Sequence, residues 1–324
     1  MATNFSTFHH RAFKPMHRIT HRLSKSLVSR LGLLALVCAL GLQIGTASVR
    51  AQDNGSSMSV KKKKQLRNQI KRAYAKGAKA GQSENFKQAA TNFQEALRLA
   101  RQHKEPLKLT SRLISKIEGN LLSVFKGAGS AALKNENYGE ALSHFEKAME
   151  YTENGPALHY NRGLALVNMD STEAGLQSLQ KAIEVGNETG NTRVAGTATE
   201  RIQDEFLAKA SKALQGDNPS EEQINTAIEA LDRMRKYVEP NAKSLYYRSR
   251  AHLKARRYEQ AIQTARRGLD MHQGSRSDAA KYYFVVAESQ KQLGSKAEAC
   301  ETYQNATYGD YKARAEHYLK NECQ

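Results

Sequence analysis

The chain has 324 residues, a formal net charge of +18, no Trp and only five Pro. Its wealth of Ala, Gln, Lys and Glu favours helix and excludes a strand-rich fold, and its length suffices for one large core or a string of small ones. From the N-terminus, residues 1–51 hold seven Lys/Arg and no Asp or Glu, and 31–42 read LGLLALVCALGL. A cationic stretch followed by an apolar run shorter than the roughly 20 residues of a membrane span predicts an export signal. Val49 and Ala51 occupy the −3 and −1 positions of a cleavage site, with GTAS at 45–48 as a neighbouring alternative. An uncleaved anchor and an organellar transit peptide share this composition and stay open. Cys38 follows Val37 rather than a small residue, so it reads as part of the apolar run and not as a lipid-attachment site. Removal of 1–51 leaves 273 residues carrying about +11. Residues 52–65 are expected as a basic linker and 66–324 as a helical repeat domain.

Self-similarity dominates that domain. NYGEALSHFEKAME at 137–150 carries Tyr138, Ala141, Phe145 and Ala148 at offsets 0, +3, +7 and +10. NFKQAATNFQEALR at 85–98 repeats the stripe with Phe86, Ala89, Phe93 and Ala96. Related segments start at Thr172, Ile224, Tyr258 and Lys296; Ala182 and Ala261 belong to their stripes, and the +3 residue is Ala or Gly in all six. Nine residues before the start stands Gly77, Gly129, Gly163, Ser249 or Ala287. The segment at Ile224 departs: GDNPS at 216–220 lengthens its turn, Ala210 or Ala213 takes the small position, and Ser220 with Gln223 forms a capping box. Glycine costs about 1 kcal/mol inside a helix, so its recurrence there points to close helix–helix approach. The small residue of a first helix and the +3 Ala of a second let two rods lie together, with Phe or Tyr at 0 and +7 filling the space beside them. Each pair keeps an uncovered apolar face, so pairs must stack.

This pattern of a small residue, an aromatic nine later, then Ala, aromatic and Ala resembles the tetratricopeptide repeat family over roughly 66–320. The resemblance implies an all-α, right-handed superhelical solenoid of antiparallel helix pairs, about six repeats with 310–324 as a C-terminal capping helix. Successive starts lie 52, 34, 52, 34 and 38 residues apart against a family repeat of 34, and the excess at 101–120 and 189–210 is assigned to lengthened helices.

Catalytic groupings are lacking. His103, His144, His159, His252, His272 and His317 form no HxH or HxxxH pair, so no metal site is expected. GAGS at 127–130 lies within a repeat helix without a preceding strand and reads as packing rather than a nucleotide loop. No nucleophile elbow or phosphate loop occurs, so neither an enzyme nor a cofactor is expected. Cys300 and Cys323 are the cysteines beyond the signal; export would join them in a disulfide worth about 3 kcal/mol at the C-terminal cap, the bland reading being two separate thiols.

In the family, the first helices of successive pairs line a concave groove that holds extended peptides. Carried over by position, that groove would use Lys126, Ser130, Tyr160, Asn161, Tyr246, Tyr247 and Arg250, with Tyr74 and Phe284 at matching places. Lys126 and Asn161 match two positions of the carboxylate clamp of some members, but Ser130 stands where Asn is needed, so no complete clamp is expected. The reading is therefore a non-enzymatic scaffold of the cell envelope, periplasmic or secreted, that binds a protein or peptide. An alternative is a structural protein held to anionic cell-wall glycan or lipid by 61–79, which carry nine Lys/Arg and no acid. Export and the packing role of the aromatics argue against nucleic acid, and nothing after processing would cross a membrane.

Overall fold

The computed structural model describes residues 58–152, 155–216 and 218–323; the expected signal and its cleavage site lie outside them. Among the described residues there are fourteen α-helices and no strand. Helices α1 (Val60–Gln82) and α2 (Phe86–Gln102) form the first pair, followed by the single turn α3 (Lys104–Leu107). The second pair is α4 (Ser111–Lys134) with α5 (Tyr138–Met149), and the third is α6 (Pro156–Asn168) with α7 (Thr172–Glu188). Then come α8 (Thr192–Ala213) with α9 (Glu221–Met234), α10 (Ala242–Lys254) with α11 (Tyr258–Asp270), and α12 (Arg276–Gln292) with α13 (Lys296–Gln304). A 3-10 turn (Gly309–Tyr311) leads into the terminal helix α14 (Lys312–Glu322). Partners within each pair pack on one another, and α4, α6, α8, α10 and α12 touch in sequence. The expected all-helical stack of six pairs with a terminal helix is the architecture found.

Local sequence sets the helix starts. Ser59, Thr110 and Asn191 accept a hydrogen bond from the backbone amide three residues on, Pro156 opens α6, and Ser220, Asn241 and Ser275 close capping boxes. The box at Ser220 restarts the chain after the lengthened turn, as its sequence indicates. Because α1 begins at Val60, residues 60–65 are helix rather than linker. Ser59 supplies the cap, and lysine is a good helix former.

Five of the six turns within pairs share one geometry. Glu84, Glu136, Asp170, Arg256 and Gly294, each two residues before a repeat start, have φ between 54° and 81°. The next amide, on Asn85, Asn137, Ser171, Arg257 or Ser295, donates to the carbonyl five residues back at 2.9–3.0 Å. This left-handed closure satisfies a helix-end carbonyl and reverses the chain, and it holds the nine-residue spacing constant.

The recurring small residues meet the +7 side chains. A Cβ on Gly77 would lie 2.9 Å from Phe93, on Gly129 2.6 Å from Phe145, and on Gly163 2.8 Å from Leu179. Phe145, Leu179, Ala89, Ala96, Ala141, Ala148, Ala182 and Ala261 are wholly enclosed. Ala210 is also enclosed, so it serves the fourth pair. The 0 and +7 aromatics, however, do not share one task. Phe86, Tyr138 and Tyr258 are only half-buried. Phe86 reaches out of its own pair: a Cβ on Gly127 of α4 would stand 2.6 Å from its ring. A side chain in the first turn of α2 lies at the edge of its pair, so it fills the joint to the next. The two glycines of GAGS thus receive two rings, Phe86 from the preceding pair and Phe145 from their own.

The excess residues lengthen α4 and α8 to 24 and 22 residues. The stretch at 101–120 is nevertheless broken. Pro106 has no amide to continue the ladder from α2, Lys108 is left-handed at φ 50°, and Thr110 caps a new helix. Leu107 is buried at this break, where Arg67 Nη2 donates to its carbonyl at 2.7 Å. At the other end Cys300 on α13 and Cys323, the C-cap of α14, are disulfide-bonded with their Cα atoms 5.7 Å apart.

Candidate functional site

The row of first helices carries all seven expected groove residues, yet they do not form one site. Lys126 and Ser130 are exposed, one turn apart, on α4. Tyr160 and Asn161 are half-buried on α6, and Tyr160 packs against the core around Leu176 and Leu179. Tyr246, Tyr247 and Arg250 stand two pairs further on, on α10. Tyr74 is likewise held in place: its hydroxyl accepts from Asn120 Nδ2 at 2.9 Å, and its ring meets Phe93 edge-on at 5.5 Å.

Tyr246 and Arg250 line a cavity of about 520 Å³ between α10, α12 and the segment formed by the 3-10 turn and α14. Phe284, Glu288 and Lys291 come from α12, and Tyr311, Arg314, His317 and Tyr318 from the terminal segment. Tyr247 lies behind this wall, its ring 5.2 Å from that of Tyr246. The hydroxyls of Tyr246 and Tyr311 are 2.6 Å apart, tying α10 to the terminal segment. Tyr303 on α13 donates to Glu288 Oε1 at 2.5 Å from inside the core. Burial raises the phenols of Tyr246 and Tyr303 above their usual value, the second reinforced by the Glu288 carboxylate, so both remain protonated.

Two of the cations that line the cavity rest on aromatic faces. The Arg314 guanidinium lies 4.4 Å from the ring centre of Phe284 and 5.3 Å from that of Tyr311, and Lys291 Nζ lies 4.7 Å from that of Tyr318. Such contacts hold a cation in position while leaving its hydrogen-bond donors available. The cavity lies within the usual size range of ligand sites, with aromatic walls and cationic rims.

The cavity residues that sequence reasoning missed include Glu288 and Lys291 on α12 and those of the terminal segment. Read as a polar cap, 310–324 nevertheless show Tyr311, Arg314 and Tyr318 at spacings of three and four, one aromatic and cationic helical face. A second, more apolar hollow of about 350 Å³ lies between α1 and α4, beside Tyr74, Phe86 and Asn120. Among the described residues no cluster of His, Cys, Asp or Glu could hold a metal ion, and no helix is long and apolar enough to cross a membrane.

Comparison with known proteins follows the same divisions. The model of the tetratricopeptide repeat matches 127–188, 221–276 and 248–313, and the SHNi-TPR model matches 82–107. The intervening 189–220 contain α8, the lengthened first helix of the degenerate fourth pair. Protein STIP1 homolog of Dictyostelium discoideum is 28% identical over 107 residues, 32% of this chain and 19% of its own length; the chain thus spans about a fifth of that relative. With six helix pairs, small residues receiving the +7 side chain and these matches, the chain belongs to the tetratricopeptide repeat family.

Proposed function

We propose that the protein is a non-enzymatic scaffold that binds a protein or peptide through the surface made by its first helices, with the cavity between α10, α12 and α14 as the principal contact. The observation that carries this reading is the cavity itself: aromatic walls, pre-positioned cations and about 520 Å³ of space at the end of the row. The repeat family and the STIP1 homolog similarity support it. The cationic, acid-free residues 1–51 with their apolar run, together with the Cys300–Cys323 bridge, support export to the periplasm or beyond the cell, with cleavage near Ala51.

The test is site-specific photo-crosslinking in cells. A crosslinking phenylalanine analogue at Ala313, beside the cavity, is expected to capture a discrete protein, and the same analogue at Gln263 on the outer helix α11 is not. Equal products from both positions, or from neither, would refute binding through this surface.

A second reading is supported by α1. Its nine Lys/Arg face no acidic residue on their own helix, and Lys61, Lys64, Lys71, Arg72, Lys76 and Lys79 lie exposed opposite the packed face of Ile70 and Gly77. Such a stripe suits an anionic cell-wall glycan or lipid surface, with the repeats as spacer. Attachment by this route would weaken between low and moderate salt, and Lys61–Lys64→Gln would release the protein. Equal retention of that variant would exclude it.

A further inference from the structure

We propose that the cavity between α10, α12 and α14 selects an acidic peptide segment. The inference rests on the peptide-binding reading and names the chemistry of its partner. The wall carries Arg250, Lys254, Lys291 and Arg314 against a single carboxylate, Glu288. That carboxylate already accepts the Tyr303 hydroxyl. Arg250, Lys291 and Arg314 form no ion pair with any described residue. Arg250 Nη2 donates to the Gly216 carbonyl, at 3.5 Å.

Some arginines elsewhere find carboxylates: Arg98 pairs with Glu95, Arg101 with Glu118, Arg233 with Glu173, and Arg248, one turn before the cavity, with Asp232. At Arg250, Lys291 and Arg314 the cavity thus gathers positive charge that no carboxylate of the described residues pairs, and two of these cations are already oriented by rings. Arg314 and Lys291 need not be ordered by the ligand, which lowers the entropic cost of binding. Charge complementarity then calls for several carboxylates at short spacing.

The aromatic rings distinguish a peptide from a nucleic acid. Base recognition needs free aromatic faces, whereas Arg314 covers Phe284 and Tyr311 and Lys291 covers Tyr318. The cavity is bounded by α10, α12 and the terminal segment, a shape suited to a few residues of chain rather than an extended polymer. Aspartate or glutamate side chains can instead meet the N–H donors that the ring contacts leave available on these cations.

The experiment is fluorescence anisotropy of the full chain with a labelled, end-capped hexaglutamate, and hexaglutamine as control. Hexaglutamate is expected to bind, with affinity falling about tenfold or more between about 50 mM and 300 mM salt. Arg314→Gln and Lys291→Gln should each weaken it by roughly tenfold, the loss of one charge-assisted contact. Lys62→Gln with Lys64→Gln, on α1, should leave it within about twofold. Circular dichroism and thermal melting confirm that each variant is folded, which the exposure of these four side chains favours. Equal affinity for hexaglutamine, or insensitivity to Arg314→Gln and Lys291→Gln, would overturn the proposal. A stronger effect from the α1 variant would also overturn it, assigning the anion to the N-terminal stripe. A partner still crosslinked at Ala313 under any of these failures would leave the peptide-binding reading standing and remove only its acidic preference.

Discussion

The second and sixth pairs solve one packing problem with different chemistry. In the second, Gly129 faces Phe145; in the sixth, the equivalent positions, again sixteen residues apart, are Ala287 and Tyr303. All four are buried, and both rings are fully enclosed. Phe145 asks only for a gap. Tyr303 brings a hydroxyl that must find an acceptor, and it takes the carboxylate of Glu288. The internal repeat thereby fixes an acidic group in the wall of the cavity beside the terminal helix. A stack of near-identical units can thus acquire a local site by adding one polar atom to a core ring.

The sharpest way to break the comparison is at the small residue. Gly129→Val would push methyl groups into the Phe145 ring, since even a Cβ would stand 2.6 Å from it. Overpacking of this kind costs about 1–3 kcal/mol, and a β-branched residue falls at the upper end. Phe145→Ala, which instead empties the site, should cost about 3–5 kcal/mol. Ala287→Gly should cost about 1–2 kcal/mol, the helix propensity together with the loss of one buried methyl. Urea unfolding of the three variants checks the ranking; similar losses at Gly129 and Ala287 would show that the two pairs do not pack in the same register.

The next effect is at the ends of the stack. The second pair has a pair packed on each side, whereas among the described residues the sixth is followed by the single helix α14, tied to α13 by the bridge at 300–323. Cys300→Ser with Cys323→Ser should cost about 3 kcal/mol on the chain-entropy estimate for a loop of 23 residues. Hydrogen exchange should localise the loss to α13 and α14. Uniform loss of protection through α4 and α5 would mean that the stack unfolds as one unit and that the bridge does not act locally.

The polar atom itself gives a smaller change. Tyr303→Phe removes a donor to a carboxylate, a bond worth roughly 1.5–3 kcal/mol when buried and less at the half-buried Glu288. It also has a pH signature. The raised phenol of Tyr303 means that the folded state holds the proton more tightly than the unfolded chain. Its stabilising contribution is therefore complete below the ordinary tyrosine value of about 10, and is lost as pH rises towards the folded value. Tyr282, pushed up to about 12 by burial, behaves in the same sense. Tyr303→Phe should consequently flatten the alkaline decline of stability, while the buried Phe145 offers no corresponding titration. A decline unchanged in the variant would assign the effect to other tyrosines.

How much of this was legible follows from how far apart the cooperating residues lie. Gly129 and Phe145 sit within one repeat, and the recurrence of the pair at Gly77 and Phe93 makes the packing visible in the letters. The six pairs, the box at Ser220 and the terminal helix follow from similarly local signals. The cavity does not, because Tyr246, Phe284 and Arg314 meet across nearly seventy residues and belong to no common motif. Family position led to Tyr246 and Arg250, yet it equally led to Lys126 and Ser130, which stand on another helix. The division of labour between Phe86 and Phe93 was also hidden, since both are phenylalanines at apolar positions and only the placement of Gly127 separates them. The break at 103–110 was available in Pro106 but was obscured by the helical pattern on either side.

The turns hold the finest contrast. Two residues before the start of the second helix, the second pair has Glu136 at φ 60° and the sixth has Gly294 at φ 81°. The backbone closure is the same: Asn137 donates to Ala132, and Ser295 to Gln290. Glutamate pays for this conformation with a steric penalty of about 1 kcal/mol or more that glycine avoids. The Glu136 side chain is exposed and a Cβ on Gly294 would meet nothing within 4 Å, so neither position adds packing to the comparison. Glu136→Gly should therefore stabilise the chain by about 0.5–1 kcal/mol, reduced by the greater freedom of glycine in the unfolded state. Gly294→Glu should destabilise it by a similar amount. Opposite shifts in the urea midpoint at constant slope would establish that the turn geometry, and not the residue, is what the repeats hold in common. Shifts of the same sign would mean that the two turns differ in the folded protein.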